Sequence, residues 1–425
     1  MKKNRWPIII VTGLIVVLAG AVIALLVFIK NQPEPVRGVV PMITVADMEP
    51  DSSIWGQNFP NQYTTMLQTK YNNERTPYGG SENFSKLEAD PRLVTLFAGY
   101  PFSKGYDEDR GHEYALEDVK SSVRISNATT GTCYSCKSAD NPKLWADMGL
   151  EAFDSTKFSE LGKSLTHTIG CSNCHEANTM RLIVTNPSLV KAFESQGIDW
   201  TKFTRQEMRS VVCANCHVEY YMVGEGKLLT LPWENGTGID QIAAYYTEEG
   251  FTDWTHPQSG ASLIKMQHPD FELYSAGSTH YNAGVACADC HMPYTRDGSA
   301  KFSTHDIKSP LLRLPETCGV CHTNVDYVAE RVQIIQDSVY QTMIKAEDAI
   351  IAAITAIEEA EKQSPIDEAL IDEARELHRQ AQLRWDFIAA ENSMGFHNPE
   401  EALRILADAI DLARQAQTQA ILAGK

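Results

Sequence analysis

The ten cysteines of this chain constrain its fold more than any other feature, because all ten fall into five Cys-x-x-Cys pairs. A histidine directly follows four of these pairs. The motif Cys-x-x-Cys-His attaches a c-type haem, because two thiols bond to one porphyrin and the adjacent histidine reaches its iron from one face. The pairs are Cys133/Cys136, Cys171/Cys174, Cys213/Cys216, Cys287/Cys290 and Cys318/Cys321, and the histidines are His175, His217, His291 and His322.

Other uses of paired cysteines explain this pattern less well. Zinc ribbons combine such pairs two at a time, need no following histidine, and would leave one pair over. A thioredoxin-like motif occurs once, within a βαβ pattern that this sequence lacks. Disulfides would suit an exported chain but do not explain the histidines. We therefore expect covalently bound haem c.

The first pair differs from the others because Lys137 follows Cys136. One interpretation is a degenerate haem motif or a lone disulfide. The other is a haem whose proximal ligand is the lysine amine, which the metal must keep deprotonated. Such a haem can leave its opposite face open for substrate, and an open position distinguishes catalytic from structural metal sites. The spacing favours the catalytic interpretation.

The histidine count agrees with one open haem and four closed ones. Four haems with two histidine ligands each need eight histidines, of which the motifs supply four. Eight more occur elsewhere, namely His112, His167, His256, His268, His280, His305, His378 and His397. Four of these could be distal ligands, and the spacing does not identify which. Closed haems transfer electrons, so we expect four to conduct and one to do chemistry.

Charge and length exclude some partners and bound the domain count. The formal net charge is −18 and no long basic run occurs, so nucleic acid is not expected as a partner. With 425 residues and a hydrophobic fraction of 43%, the chain can form one large domain or two modest ones.

The N-terminus predicts a membrane anchor. Residues Pro7 to Ile29 carry no charge and are almost wholly apolar, and Lys2, Lys3 and Arg5 precede them. An apolar run of about 20 residues suffices to span a bilayer, and the flanking positive charges favour a cytoplasmic N-terminus. A cleaved signal peptide is the alternative, but its apolar region is usually shorter, about 7–15 residues. We expect residues 1–36 to form an uncleaved anchor and linker, with the catalytic domain periplasmic or otherwise extracytoplasmic; Asn31 to Val40 reads as linker.

The remaining sequence predicts a mainly α fold in two parts. Residues 37–325 show little sustained period, which indicates short helices and loops around five haems, with a hairpin near 222–231. Residues 326–425 predict long helices. In the first, apolar residues recur at helical spacing until Ser364-Pro365 ends it. A second run covers 367–392, and Asn398 is a plausible N-cap of a third helix.

The motif order and several longer stretches resemble the pentahaem cytochrome c nitrite reductase family, which reduces nitrite to ammonium. One Cys-x-x-Cys-Lys motif precedes four Cys-x-x-Cys-His motifs in both. The matching stretches are GHEYALEDV (111–119), CANCHVEYY (213–221), KMQHPDFE (265–272), CADCHMP (287–293) and HNPEEALR (397–404). The resemblance covers roughly residues 45 to 420.

The resemblance implies a catalytic set and one Ca²⁺ per chain. Lys137 matches the ligand of the active-site haem, and Arg124, Tyr220 and His268 match the residues around its open face. Hard oxygen ligands suit Ca²⁺. The resemblance implies side-chain oxygens from Glu219 and Gln267 and backbone carbonyls from Tyr220 and Lys265.

The resemblance also pairs the distal histidines with the motif histidines. It implies the pairs His305 with His175, His112 with His217, His397 with His291, and His280 with His322. His167, His256 and His378 match no ligand, so we expect them to be surface or packing residues. The loop between Arg124 and Cys133 is short for the family, which could reshape the entrance to the site.

The partners follow from the same resemblance. It implies a quinol-oxidising multihaem donor in the membrane and a homodimer formed through the long C-terminal helices. Two other functions stay open: an electron-transfer cytochrome without a catalytic site, and a related enzyme that acts on hydroxylamine or sulfite. The first gives no reason for Lys137 or for the catalytic set around it.

Overall fold

The computed structural model describes residues 6–30 and 41–425, and within the first range it describes the side chains of residues 10–25. The charged residues before position 6 and the predicted linker from Asn31 to Val40 lie outside the described residues. The chain divides into two compact units, Met1–Met42 and Ile43–Lys425. In the first unit, Trp6–Lys30 is helical (α1). Within the described part of the chain, no helix combines the length and the hydropathy required to cross a membrane.

The second unit begins with many short elements and ends with three long helices, as the sequence predicts. The short helices are α2 Ser52–Gly56, α3 Pro60–Gln68, α4 Lys86–Ala89, α5 Arg92–Leu96, α6 Ala115–Ser121, α7 Asn141–Met148, α8 Leu150–Ser155, α9 Phe158–Leu161, α10 Pro187–Ser195, α11 Arg205–Val211, α12 Ile239–Glu248, α13 Asp270–Ser275, α14 Thr279–Asn282 and α15 Cys287–His291. The long ones are α16 Val325–Ala360, α17 Glu368–Ala390 and α18 Pro399–Ala423. The prediction of a mainly α fold with long C-terminal helices is confirmed.

The strands form two-stranded antiparallel pairs. They are β1 Arg75–Thr76 with β2 Gly79–Gly80, β3 Tyr221–Val223 with β4 Leu228–Thr230, β5 Trp254–Thr255 with β6 Ser262–Leu263, and β7 Tyr294–Asp297 with β8 Ala300–Ser303. The β3–β4 pair is the predicted hairpin, with Met222 opposite Leu229.

The three long helices start and stop where local chemistry dictates. Pro365 lacks an N–H and follows the end of α16, and α17 then begins after Asp367, whose carboxylate accepts from the backbone N–H of Ala369 at 3.1 Å. Asn398 caps α18 as predicted and accepts from the backbone N–H of Glu401 at 3.4 Å. On α18 the buried stripe consists largely of alanines, which let the helices approach closely: Ala402, Ala409, Ala413, Ala416 and Ala420.

One hydrophobic core joins these helices to the earlier part of the chain. It combines apolar residues of α16 and α17 with buried aromatic residues such as Phe97, Tyr246 and Trp254. Smaller cores lie around Trp233 and around Tyr134. The long helices therefore do not fold apart from the haem-binding region, since they complete its largest core.

A buried ion pair fixes the segment that precedes α13 against α17. The ammonium of Lys265 lies 2.8 Å from the Asp386 carboxylate, and both side chains are almost fully buried. The same carboxylate accepts the backbone N–H of Met266 at 2.8 Å. The ammonium also lies over the rings of Phe97 and Phe102, at 5.2 and 5.0 Å from their centroids. Lys265 and Met266 are thus held in place by α17.

We expect Asp386→Ala to destabilise the protein strongly, by on the order of 3–5 kcal/mol, because it leaves the buried Lys265 charge without its partner. Chemical denaturation of the holoprotein followed by circular dichroism measures this loss. Asp348→Ala is the control, since that carboxylate on α16 is 63% exposed. Equal stability of the two variants would contradict the structural role given to the buried pair.

Candidate active site and haem ligands

Each haem-attachment motif lies on or beside a short helical turn. In three motifs the backbone N–H of the histidine donates to the carbonyl of the first cysteine, at 2.9 Å for His175, 2.9 Å for His217 and 2.8 Å for His322. Lys137 differs, because its N–H donates to the Tyr134 carbonyl at 3.0 Å. The turn is thus one residue tighter where the lysine replaces the histidine.

The cysteine side chains reveal the spatial order of the motifs. None of the ten cysteines, all of which lie within residues 41–425, forms a disulfide. The side chains of Cys136 and Cys216 are within hydrogen-bonding distance, and so are those of Cys213 and Cys287. Cys174 lies near both cysteines of the third motif, and Cys290 lies near those of the fifth. The third motif is therefore the centre, with the first, second and fourth around it and the fifth beyond the fourth.

Cys321 departs from the other nine cysteines, because it is exposed whereas they are partly buried. The fifth attachment motif therefore differs from the other four in its exposure. The physical reason is its position: the fifth motif lies at the outer end of the row, and the neighbouring Val320 is also exposed, at 73%. The motif spacing still predicts haem attachment at Cys318 and Cys321, but at the protein surface rather than in a partly buried setting.

Four histidine pairs face each other at one common separation. Their ring centroids lie 6.3 Å apart for His112 and His217, 6.2 Å for His175 and His305, 6.4 Å for His280 and His322, and 6.4 Å for His291 and His397. An imidazole nitrogen binds a metal at about 2 Å, so two rings on opposite faces of one iron have centres a little over 6 Å apart. All four pairs are those that the resemblance implies, and the residues fit bis-histidine haems.

Ring separation alone does not identify a ligand pair. His217 also lies 6.4 Å from His268, and His256 lies 5.7 Å from His378. The last pair is fully buried, and its nitrogens bond to protein groups, such as the Thr95 carbonyl for His256. His256 and His378 therefore pack the core. His167 sits apart, with Nδ1 at 2.9 Å from the Asp140 carboxylate.

The nitrogen that does not face iron is held in several of these rings. Nδ1 lies 3.0 Å from the Met180 carbonyl in His175, 3.2 Å from the Lys308 carbonyl in His291, 2.9 Å from the Ser303 carbonyl in His305, and 3.1 Å from the Asp270 carboxylate in His217. A carbonyl or carboxylate accepts, so Nδ1 carries the proton and Nε2 is left for the metal. The contacts thus fix the ring orientation that haem ligation requires.

The structure brings the four expected catalytic residues together around the first motif. The Arg124 guanidinium acts electrostatically on Tyr220 and Cys133, and Lys137 acts on His268. Burial is the main reason that the pKa of His268 falls to about 3. Burial also holds the pKa of Tyr220 well above its ordinary value. Both groups are therefore uncharged near neutral pH.

His268 presents an unused polar atom in this group. Its Nδ1 is buried, and no hydrogen-bond partner for it occurs among the described residues. Burying a polar atom without a partner is costly, and such exceptions concentrate at functional sites. The atom is available to a ligand of the site.

The residues expected to bind Ca²⁺ also lie together. The fully buried Glu219 carboxylate accepts the backbone N–H of Gln267 at 2.6 Å and the Tyr246 hydroxyl at 2.8 Å. The Gln267 side chain reaches the Lys265 carbonyl at 3.2 Å. Burial raises the pKa of Glu219 well above its ordinary value, and the adjacent Glu272 adds to this effect.

Glu272 strengthens the case for a cation beside Glu219. Its Oε2 atom is buried and, within residues 41–425, has no hydrogen-bond partner. Burial raises its pKa to about 8. Two buried carboxylates side by side are costly unless a cation compensates them, so the residues fit a hard divalent ion.

Comparison with known proteins identifies the family. The model of the family described as cytochrome c552 matches residues 51–424. The chain belongs to the cytochrome c552 family.

Individual relatives agree with this family. Cytochrome c-552 of Parabacteroides distasonis is 40% identical over 386 residues, covering 88% of this chain and 77% of the relative. Cytochrome c-552 of Maridesulfovibrio salexigens is 34% identical, covering 99% of this chain and 85% of the relative. Among solved structures, cytochrome c nitrite reductase from Desulfovibrio desulfuricans (catalytic subunit NrfA, described with two calcium sites) matches with a TM-score of 0.85 and 33% identity. It covers 90% of this chain and 88% of its own.

Membership of the cytochrome c552 family decides how the paired cysteines are used. They attach haem c rather than zinc or a disulfide, and the five motifs make this cytochrome c552 a five-haem protein.

Sequence reasoning missed two residues of this cytochrome c552 site. Phe102 lies under Arg124, with the guanidinium carbon 4.1 Å from the ring centroid. Asp109 is a second such residue: burial opposes its ionisation, and the nearby charges of Lys86 and Arg124 favour it. The only available signal was proximity in sequence, since Asp109 lies three residues before His112.

We expect His280→Ala to leave five attached haems and to convert one low-spin haem into a high-spin one, because the haem of His322 loses its second ligand. Electron paramagnetic resonance and a haem count per chain measure this. His167→Ala is the control and should change neither. A low-spin spectrum identical to that of the parent protein would remove His280 from the ligand set.

Proposed function

We propose that this cytochrome c552 reduces nitrite to ammonium, with six electrons, at the haem held by Cys133 and Cys136 and ligated by Lys137. The observation that carries the proposal is the convergence of Arg124 and Tyr220 on that motif, joined by His268. The likeness to a nitrite reductase of known structure supports the same activity. The remaining haems, ligated by the four histidine pairs, would supply the electrons.

The side chains suit a small anion that must gain protons. The Arg124 guanidinium offers fixed donors to the nitrite oxygens, and stacking on Phe102 restricts its position. His268 and Tyr220 are uncharged near neutral pH. Each can therefore donate a hydrogen bond to the anion without repelling it, as a carboxylate would. When bound, the haem supplies the electrons and the coordination site for nitrogen.

The test is nitrite consumption and ammonium release by the purified holoprotein with a strong chemical reductant. We expect one ammonium for each nitrite consumed. No nitrite loss with five haems present would favour an electron-transfer cytochrome. Faster turnover of hydroxylamine or sulfite than of nitrite would favour the related enzymes instead.

We expect Lys137→His to retain the haem but to slow nitrite turnover at least about tenfold, because the residue that would ligate the active-site iron changes. Steady-state kinetics and a haem count measure this. The matched substitution at a closed haem, His322→Lys, should affect turnover through electron supply alone. Unchanged turnover in Lys137→His would show that lysine ligation is not required.

We expect Arg124→Ala to lower kcat/KM for nitrite by about a hundredfold, the order lost when one fixed donor to an anion is removed. The control is Arg110→Ala, because Arg110 also lies over an aromatic ring, that of Tyr114 at 4.0 Å, but pairs with Asp118 outside the site. Spectra of the low-spin haems should be unchanged in both. An unaffected kcat/KM would exclude Arg124 from substrate binding.

The proposal includes one Ca²⁺ held by side-chain oxygens of Glu219 and Gln267 and by the carbonyls of Tyr220 and Lys265. Tyr220 is itself one of these ligands, and His268 directly follows Gln267 in the sequence. The ion would therefore hold both catalytic residues in place. We expect Glu219→Gln to lose the ion and most of the activity while keeping five haems, measured by metal analysis and nitrite kinetics. Glu225→Gln, on the β3–β4 turn, is the control. Full calcium content in Glu219→Gln would contradict the assigned site.

The assembly of the protein is also proposed rather than shown. An uncleaved anchor at Pro7–Ile29 is supported by the apolar run and the positive residues before it. Recovery of the full-length protein in salt-washed membranes tests it, and recovery in the soluble fraction would overturn it.

The exposed apolar residues Tyr327 and Ile334 on α16 support a dimer through that helix. A monomeric mass in light scattering would overturn the proposed dimer. If quinol-oxidising membrane cytochromes do not reduce the protein, they are excluded as its electron donor.

A further inference from the structure

One buried carboxylate lies beside ligand histidines of two different haems. Asp270 begins α13, and its Oδ2 lies 3.1 Å from Nδ1 of His217, the histidine of the third motif. Its Oδ1 lies 3.5 Å from Nδ1 of His397, the partner of His291 in the fourth haem. The two haems are neighbours, because Cys213 and Cys287 of their motifs lie within hydrogen-bonding distance.

The carboxylate is held from a third direction. Asn392, just beyond the end of α17, donates its backbone N–H to Oδ1 at 2.8 Å and its side-chain amide to Oδ2 at 3.0 Å. Asp270 therefore cannot turn towards one histidine without losing bonds to Asn392. The trio of Asp270, Glu391 and His397 could hold a metal ion. Four protein nitrogens already surround the Asp270 oxygens. This favours an interaction of Asp270 with the two histidines over the binding of a metal ion.

Nδ1 of the second histidine, His397, makes no hydrogen bond among the described residues, but it lies near two carboxylates. Nδ1 of His397 lies 3.3 Å from Glu391, slightly closer than Asp270. Glu391 approaches only this one of the two rings and otherwise accepts the backbone N–H of Ser393 at 2.8 Å and that of Gly395. His217 and His397 thus differ: the first depends on Asp270 alone, and the second has two acids within reach of its Nδ1.

A carboxylate that accepts from a ligand imidazole makes that imidazole more basic. The more basic ligand stabilises the oxidised metal, so hydrogen bonding outside the coordination shell sets reduction potentials. Asp270 accepts from His217, and its charge lies 3.5 Å from Nδ1 of His397, so its effect would reach two irons. Oxidation of one iron would strengthen the attraction between its histidine and Asp270 and leave less for the other histidine.

We propose that Asp270 is a positioning residue that lowers the reduction potentials of the third and fourth haems together and couples them, through Nδ1 of His217 and of His397. The inference rests on the proposed haem ligation and is independent of the substrate. Electrons leaving the fourth haem for the third would then pass between two sites that share one charge.

Potentiometric titration of the holoprotein without nitrite tests this, with each low-spin haem followed by electron paramagnetic resonance. In Asp270→Asn we expect the potentials of two haems to rise, each by about a tenfold change in its reduction equilibrium, which is about 59 mV for one electron. In Glu391→Gln we expect only the haem of His397 to shift. Asp289→Asn is the charge control, because that carboxylate lies within the fourth motif and bonds to Arg209 instead of a histidine.

A shift of one haem or of none in Asp270→Asn would overturn the proposal, and so would an equal shift in Asp289→Asn. If Asp270→Asn does not assemble with five haems, Asp270→Glu decides, because a displaced carboxylate must still move both potentials. Neither outcome depends on nitrite turnover. A protein that fails as a nitrite reductase can still show the paired shift, and an active enzyme can lack it.

Discussion

Iron coordination is the constraint on which the rest of this fold depends. A motif supplies two thiols and one ligand from a single local turn, but the ligand on the opposite face must come from elsewhere. Three of the four histidine pairs join residues more than a hundred positions apart, and only His280 and His322 are nearer in sequence. In the proposed ligation, each of the four bis-histidine haems connects a local turn to a segment elsewhere in the chain, as a crosslink would. This explains why short helices and two-stranded sheets suffice between residues 43 and 324.

The long helices provide rigidity where the short elements cannot. The end of α17 and the connection to α18 carry Asp386, Asn392 and His397, which reach the backbone N–H of Met266, Asp270 and the ring of His291 respectively. A residue far from the first motif, such as Asp386, thus positions the segment that ends at His268. A catalytic side chain held by a packed helix keeps its geometry better than one held by a loop.

The sequence predicts the local features of this molecule and few of the long-range ones. The motifs, the β3–β4 hairpin, the long helices and the Asn398 cap follow from spacing or from single residues, because each depends on neighbours in the chain. Distal ligands depend on tertiary folding, and spacing left eight candidate histidines for four positions; the pairing came from family resemblance. Burial is equally tertiary, so the same motif gives partly buried cysteines in four places and the exposed Cys321 in the fifth. No motif marks Phe102, Asp109 or Asp270 individually, because their importance arises from what lies beside them in space. Asp109 offers only its proximity to His112 in sequence, and Asp270 only its place in the matching stretch 265–272.

Local electrostatics at the proposed site run against the charge of the whole chain. A net charge of −18 repels an anion such as nitrite. Surface charges are screened beyond about 10 Å at roughly 0.1 M salt, whereas buried ones are screened much less. What the anion meets at close range is therefore decided by Arg124, by the uncharged His268 and Tyr220, and by whatever cation compensates Glu219 and Glu272. Asp109 is an acidic group close enough to Arg124 to interact with its charge. Arg124 serves an anion best where it does not pair with that carboxylate, and its contact with the Phe102 ring restricts its position.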